Sequence, residues 1–368
     1  MQVPSMIIDA DGHLFETEEV FAEYMEPSLR RYRPRLITDD EGSRFWVVDG
    51  STRYRRPHIP GAFIPGTGAP PGGALNARRA SVGSQTLANI QERLADLDRE
   101  GIDIQFLFPS FLLEVNTWED GGLGNGVCRA YNTWLAKMCA EAPERLKGIG
   151  LVCLGDPQGA AQELARIKQL GLAAVMISGV VGSGRLDDPA NEIFFAEANR
   201  LHLPVAVHFN LQFPGVSDLF PHFFPTRVLA GLFPLMVGFT SVMCCGLLER
   251  YPNLRFAFLE GGCNWVAAFL ERIEDHFESP RYNARQLIQR SPREFFDSGR
   301  IFFGCEGNEP FLPRVVEDIG DDKLLFSSDY PHADRTEGTA RMLQAREDLT
   351  PTAKKRILEE NARRFYGI

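Results

Sequence analysis

The segment Ile7-Ile8-Asp9-Ala10-Asp11-Gly12-His13-Leu14-Phe15-Glu16 sets three carboxylates and an imidazole directly behind a short apolar run. Carboxylates and neutral imidazole are the side chains that hold divalent metals, and a period of two puts Asp9, Asp11 and His13 on one side of an extended chain. The segment therefore reads as a metal site at the end of a strand. Three later apolar runs stop the same way. Pro204-Val205-Ala206-Val207 ends in His208, and Leu254-Arg255-Phe256-Ala257-Phe258-Leu259 ends in Glu260 before Gly261-Gly262. Phe326-Ser327-Ser328 runs into Asp329-Tyr330-Pro331-His332. Asp329 is the stronger ligand of that last pair; His332 is read as a ligand or as a residue that supports one.

Delivering these groups to one place requires a repeated architecture. From Gln85 the chain alternates helix-like and strand-like stretches. Strands are expected at Ile102 to Phe108, Leu146 to Cys153, Ala173 to Ser178, Pro204 to His208, Leu254 to Glu260, Arg300 to Gly304 and Leu324 to Ser328. Helices are expected at Gln85 to Glu100, Val127 to Ala142, Gln158 to Leu170, Glu192 to Leu201, Ser241 to Arg250, Trp265 to Phe277, Leu312 to Ile319 and Gly338 to Tyr366. With the first strand this makes eight strands, seven of them preceded by a helix, the signature of an α/β fold with crossover helices. Eight units favour a closed (β/α)8 barrel, whose strand C-termini converge at one mouth. An open doubly wound sheet is the runner-up, but no Gly-rich fingerprint follows the first strand. Residues 17–80 read as an irregular Gly/Pro-rich insertion after strand 1, too long for a simple connector and expected to be a lid or an oligomer arm. One domain, 1–368, is expected.

At 368 residues, 44% hydrophobic and 24% charged, the chain has the composition of a globular enzyme. A net charge of -10 argues against non-specific nucleic-acid binding, and no basic stripe is visible in the sequence. No signal pattern opens the chain and no run of 18 apolar residues occurs, so no membrane association and a cytoplasmic location are expected. Seven cysteines without a regular framework fit reduced thiols, and Cys244-Cys245 reads as core packing. His58, His202, His222 and His276 are read as unconnected with the site. The segment Phe209 to Phe239, with Phe213, Phe220, Phe223, Phe224 and Phe233, could line an apolar pocket, an oligomer interface or the core. Arg53, Arg55, Arg56, Arg78 and Arg79 read mainly as solvated loop charge, with anion binding as the alternative.

At these residues the chain resembles the amidohydrolase-related (amidohydrolase 2) branch of the amidohydrolase superfamily, which includes metal-dependent aromatic-acid decarboxylases. The matching features are Ile8-Asp9-x-Asp11-x-His13, His208, Leu248-Glu249-Arg250-Tyr251-Pro252-x-Leu254 through Gly262, and Ser328-Asp329-Tyr330-Pro331-His332. The resemblance implies a distorted (β/α)8 TIM barrel with a metal between Asp11, His13, His208 and Asp329, the last also moving a proton. Two departures stand out: Asp11 where the family commonly has the first histidine of a His-x-His pair, and Glu260 where the sixth strand commonly ends in histidine.

Adding Glu16, Glu260 and His332 to the inherited four gives seven potential ligands, more than one ion needs. Several carboxylates with a few imidazoles and no thiolate suit iron or manganese better than tetrahedral zinc. The chain is also similar to the TIM-barrel relatives that act as nonheme di-iron monooxygenases. The leading expectation is accordingly O2-dependent hydroxylation of a small apolar substrate, an acyl-CoA among the candidates, at two Fe ions. Asp11, His13, Glu16, His208, Glu260, Asp329 and His332 would hold the metals, Asp329 and Glu260 being catalytic. That reading also requires O2 and an electron donor, and a homo-oligomer is expected. The alternative is a decarboxylase or hydrolase with one Zn or Mn ion, in which Asp329 moves the proton. A third reading, a barrel-derived binding protein, is disfavoured by the convergence of ligands.

Overall fold

The computed structural model describes residues 6–38, 44–48, 51–52, 80–211, 213, 215–217, 219–332 and 335–368. Eight parallel strands organise the chain: β1 (Ile8–His13), β2 (Ile104–Phe108), β3 (Leu146–Gly148 continuing as Gly150–Leu151), β4 (Val175–Ser178), β5 (Val205–His208), β6 (Phe256–Leu259), β7 (Ile301–Cys305) and β8 (Leu324–Phe326). Each pairs in parallel with its successor. Two backbone bonds then join the end of β1 to the turn after β8, His13 N to Tyr330 O (2.6 Å) and Asp329 N to Asp11 O (3.1 Å). The fold is thus α/β with parallel sheets. β1, β2, β4, β5, β6, β7 and β8 are buried along their whole length, as expected of strands covered on both faces.

The crossover helices start where the sequence supplies caps. Asn89 caps Ile90–Glu100 through the amides of Gln91 and Glu92, and left-handed Gly101 ends it. Asp156 caps Pro157–Gln169, with proline at the first turn. The helix expected from Val127 instead runs Gly121–Cys139, capped by Asp120. A Cβ on Gly121 in its first turn would lie 2.2 Å from the Gly155 carbonyl carbon, so close packing requires glycine there.

Residues 17–80 are not irregular throughout. Helix Glu18–Tyr24 is followed by an antiparallel set, Arg35–Thr38, Arg44–Val48 and Ser51–Thr52. The reason is a period-two pattern: Trp46 and Val48 are buried, and Trp46 stacks on Phe111 at 4.4 Å. The remainder of the expected lid, with Arg53, Arg55, Arg56, His58, Arg78 and Arg79, lies outside the described residues.

The Phe-rich segment forms two helices, Phe223–Ala230 and Phe233–Cys244. Phe239 is buried, whereas Phe224 and Phe233 are exposed. By length and composition alone Phe224–Cys244 is apolar enough to cross a membrane, and half of it is buried in the fold. All seven cysteines are free, and Cys244 and Cys245 are half-buried.

Candidate metal centre

β1 does not run as a uniform ladder. Its register with β2 shifts between Asp9 and Gly12, and a Cβ on Gly12 would collide with the Gln105 side chain. The irregularity separates the two aspartates that the alternation had placed together. Asp9 turns away from the cluster: its oxygens accept from Ser328 N (2.9 Å), Ser328 Oγ (2.5 Å) and Gln105 Nε2 (2.7 Å). Arg93, fully buried, donates to Gln105 Oε1 and to the carbonyl of His13, tying helix Ile90–Glu100 beneath the site.

Asp11, His13, His208, Glu260 and Asp329 converge at the C-terminal ends of β1, β5, β6 and β8. His13 Nδ1 donates to the Pro109 carbonyl at 2.7 Å, which fixes the tautomer and leaves Nε2 as a bare lone pair. That Nε2 lies 3.5 Å from each of Asp11 Oδ1, Glu260 Oε2 and Asp329 Oδ1. His208 Nε2 lies 3.2 Å from Asp11 Oδ1 and 3.5 Å from Glu260 Oε2. Among the described residues, Asp11 Oδ2, His13 Nε2 and Glu260 Oε2 are buried without a hydrogen-bond partner. Leaving such atoms unsatisfied costs about 1–3 kcal/mol each, and a cation at their focus removes that cost. Adjacent ligands of an octahedral ion with bonds of 2.0–2.1 Å stand about 3 Å apart, close to the spacing seen here. The donors form two groups that share His13, one with Glu260, Asp329 and His332 and one with Asp11 and His208, and their chemistry fits a divalent ion.

The backbone is also unusual where two of the carboxylates leave their strands. Glu260 and Asp329 have φ of 61° and 53°, in the left-handed region that non-glycine residues rarely occupy. Such conformations cost about 1–3 kcal/mol and cluster at functional sites.

Electrostatics point the same way. Burial lowers the His13 pKa and nearby His332 lowers it further, yet the pull of Glu260, Asp11 and Asp329 leaves it raised. Burial alone would raise the Glu260 carboxyl, but the close His13 imidazole and the charges of His208, His13 and His332 hold it far below the usual range. A field that favours a proton on His13 also draws a metal cation, and the two compete for Nε2.

Two expected ligands, Glu16 and His332, are engaged by hydrogen bonds. Both Glu16 oxygens are taken by backbone amides, Ser110 N (3.1 Å), Phe111 N (2.9 Å) and Leu112 N (3.0 Å), so it clamps the loop after β2. Burial still raises its pKa against those donors. His332 belongs to one of the clustered groups, with His13, Glu260 and Asp329, but its Nδ1 is 2.6 Å from Asp329 Oδ1 and its Nε2 is 2.7 Å from Ser110 Oγ. Of the three extra donors, Glu16 and His332 are thus engaged by hydrogen bonds, whereas Glu260 Oε2 stays in the cluster without one. Exposed His202 and His222 and half-buried His276, which stacks on Tyr282, are not among the clustered residues.

Sequence reasoning missed Ser110 and Arg227. Ser110 follows β2 as the other site residues follow their strands, and that position was the available signal. Arg227, on helix Phe223–Ala230, lies 3.4 Å from Glu260 Oε1 and 4.0 Å over the Phe209 ring. Nothing in the sequence pairs it with Glu260.

A family model described as amidohydrolase matches residues 8–368. The chain is 25% identical over 278 residues to 2-amino-3-carboxymuconate-6-semialdehyde decarboxylase of Dictyostelium discoideum, covering 75% of this chain and 76% of that protein. It is 28% identical over 262 residues to a gamma-resorcylate decarboxylase of Rhizobium radiobacter, covering 67% and 78%. Among solved structures, an amidohydrolase from Mycobacterium avium subsp. paratuberculosis superposes with a TM-score of 0.78 at 20% identity, covering 98% and 99% of the two chains. A 5-carboxyvanillate decarboxylase from Novosphingobium aromaticivorans, complexed with manganese and 4-hydroxy-3-methoxy-5-nitrobenzoic acid, gives 0.71 at 18%, covering 99% and 96%. The curated relatives are decarboxylases, and this overturns the expectation of a di-iron monooxygenase with its O2 and electron donor. The expected two Fe ions find no support in these relatives, of which the solved 5-carboxyvanillate decarboxylase holds manganese.

Proposed function

We propose, from the premise that the chain belongs to the Amidohydro_2 amidohydrolase family, that it is a metal-dependent, non-oxidative decarboxylase of a small aromatic or similarly unsaturated acid. The observation that carries this is the set of three buried atoms without hydrogen-bond partners, on Asp11, His13 and Glu260, in two ligand groups that share His13 and include His208 and Asp329. The scaffold in this reading is a distorted (β/α)8 barrel, supported by the two backbone bonds between the end of β1 and the turn after β8.

Asp11, His13, His208 and Asp329 would hold one divalent ion, manganese or zinc. Such an ion supplies positive charge next to which an anionic substrate oxygen is held and electron density is drawn from the ring. Asp329, an ionised carboxylate at rest, takes up a proton from water and delivers it to the ring carbon bearing the carboxylate. The bond to that carboxylate then breaks, its electron pair restores the aromatic ring, CO2 departs, and Asp329 is left ionised again. Glu260 holds the Arg227 guanidinium over Phe209, where its charge offsets the carboxylates and meets an incoming anion. Phe108, 5.2 Å from the His208 ring, supplies apolar surface. Release of CO2 from 2,6-dihydroxybenzoate or 5-carboxyvanillate by the manganese-loaded protein without oxygen tests the proposal.

A further inference from the structure

We infer that His332 is a positioning residue for Asp329, anchored by Ser110, and not a ligand of the metal. The inference rests on the metal centre proposed above and adds a residue that acts through one of its carboxylates. Both imidazole nitrogens are engaged, Nδ1 with Asp329 Oδ1 at 2.6 Å and Nε2 with Ser110 Oγ at 2.7 Å. An ionised carboxylate only accepts, so Nδ1 carries the proton and the Ser110 hydroxyl donates to Nε2. The lone pair that a metal would need on Nε2 is thereby used.

The ring plane is fixed from both sides. His332 stacks on His13 at 4.0 Å and 26°, and on Phe15 at 5.8 Å and 20°. Ser110 is fixed in turn, because its backbone N–H donates to buried Glu16. A line of contacts thus runs from the end of β1, through the loop after β2, to the loop after β8, ending on the Asp329 carboxylate. Asp329 also sits at a φ of 53°, a left-handed backbone conformation that non-glycine residues hold only where their surroundings fix it. His332 N also donates to the Asp329 carbonyl at 2.9 Å, so one residue grips both the main chain and the side chain of Asp329. Donors that orient a metal-binding carboxylate from outside commonly change metal affinity or activity by about 10–100-fold when removed.

The test compares wild type, His332→Leu, His332→Asn and Ser110→Ala, each loaded with Mn2+. Asparagine places an amide N–H where Nδ1 stood, so it keeps the grip on Asp329 without an imidazole. Pulsed EPR counts the nitrogen couplings to Mn2+, and calorimetric titration gives the affinity. We expect the same two nitrogens, from His13 and His208, in all four proteins. Mn2+ affinity should fall about 10–100-fold in His332→Leu, recover most of the way in His332→Asn and fall less in Ser110→Ala. Loss of a nitrogen coupling in His332→Asn would make His332 a ligand and overturn the inference, as would unchanged Mn2+ affinity in His332→Leu. Should His332→Leu not fold, Ser110→Ala and His332→Asn decide the matter alone: no change in affinity in Ser110→Ala overturns the anchoring. If Mn2+ binds with this dependence and no acid is decarboxylated, the positioning role stands and the proposed reaction falls.

Discussion

The imidazoles of His13 and His332 lie nearly parallel, with ring centroids 4.0 Å apart, yet only His13 turns a nitrogen without a hydrogen-bond partner into the carboxylate cluster. The difference divides residues of the same type into one that can bind metal and one whose nitrogens are already engaged. It follows that His13→Ala and His208→Ala should each remove tightly bound Mn2+, read by elemental analysis after gel filtration. Activity should fall by at least about 1000-fold, the scale expected when charge stabilisation at the reacting group is lost.

Glu16 is an expected ligand whose two oxygens accept from backbone amides. Glu16→Ala strands the buried amides of Ser110, Phe111 and Leu112, and at about 1–3 kcal/mol per unsatisfied group the loss of stability should be about 3 kcal/mol or more. Urea unfolding measures it. Mn2+ stoichiometry in the folded protein should stay at that of wild type, and loss of the ion from well-folded Glu16→Ala would restore Glu16 as a ligand.

Glu260→Gln separates one ion from two. The substitution removes a charge from the cluster and the ion pair with Arg227. With a single ion held mainly by Asp11, His13, His208 and Asp329, stoichiometry should be unchanged while KM for an anionic substrate rises, on the order of 10-fold as for loss of one charged contact. Arg227→Gln should show the same KM effect. Halving of the metal content in Glu260→Gln would argue for a second ion.

Acid stability should depend on a pair remote from the metal. Burial alone would raise the Glu100 carboxyl, but Arg335, at 2.9 Å, and the Gly338 amide hold it below its ordinary 4.5. A depressed carboxylate stabilises the fold above the unfolded value, and the contribution is lost as pH falls through the lower, folded value. Between neutral pH and about 5 it should therefore be fully present, and it should decline below 4.5. Glu100→Gln should flatten the dependence of unfolding free energy on pH in that acid range; an unchanged slope would remove this pair as its source.

Much of the site was legible in the sequence because each of His208, Glu260 and Asp329 follows a buried apolar strand directly or within three residues, and strand C-termini share one end of a parallel α/β fold. Asp9 was placed beside Asp11 by strict alternation, which the register shift at Gly12 defeats. Glu16 and His332 were counted as ligands because their types fit. Their partners are amides and a hydroxyl of the loop 110–112, and backbone amides leave no mark in a sequence. The antiparallel strands before residue 53 were hidden by Gly/Pro-rich sequence further on, although Phe45-Trp46-Val47-Val48 carried the strand signal.

The central claim is non-oxidative decarboxylation at a single metal site. The most direct measurement is CO2 release under anaerobic conditions, without reductant, from 2,6-dihydroxybenzoate and 5-carboxyvanillate by Mn2+-loaded and chelator-treated protein. The expected result is one CO2 per acid consumed, abolished by chelation, restored by Mn2+, with one deuterium at the vacated ring position in D2O. Consumption of either acid only with O2 and a reductant, yielding a hydroxylated product, would contradict it, as would full activity in the metal-free protein.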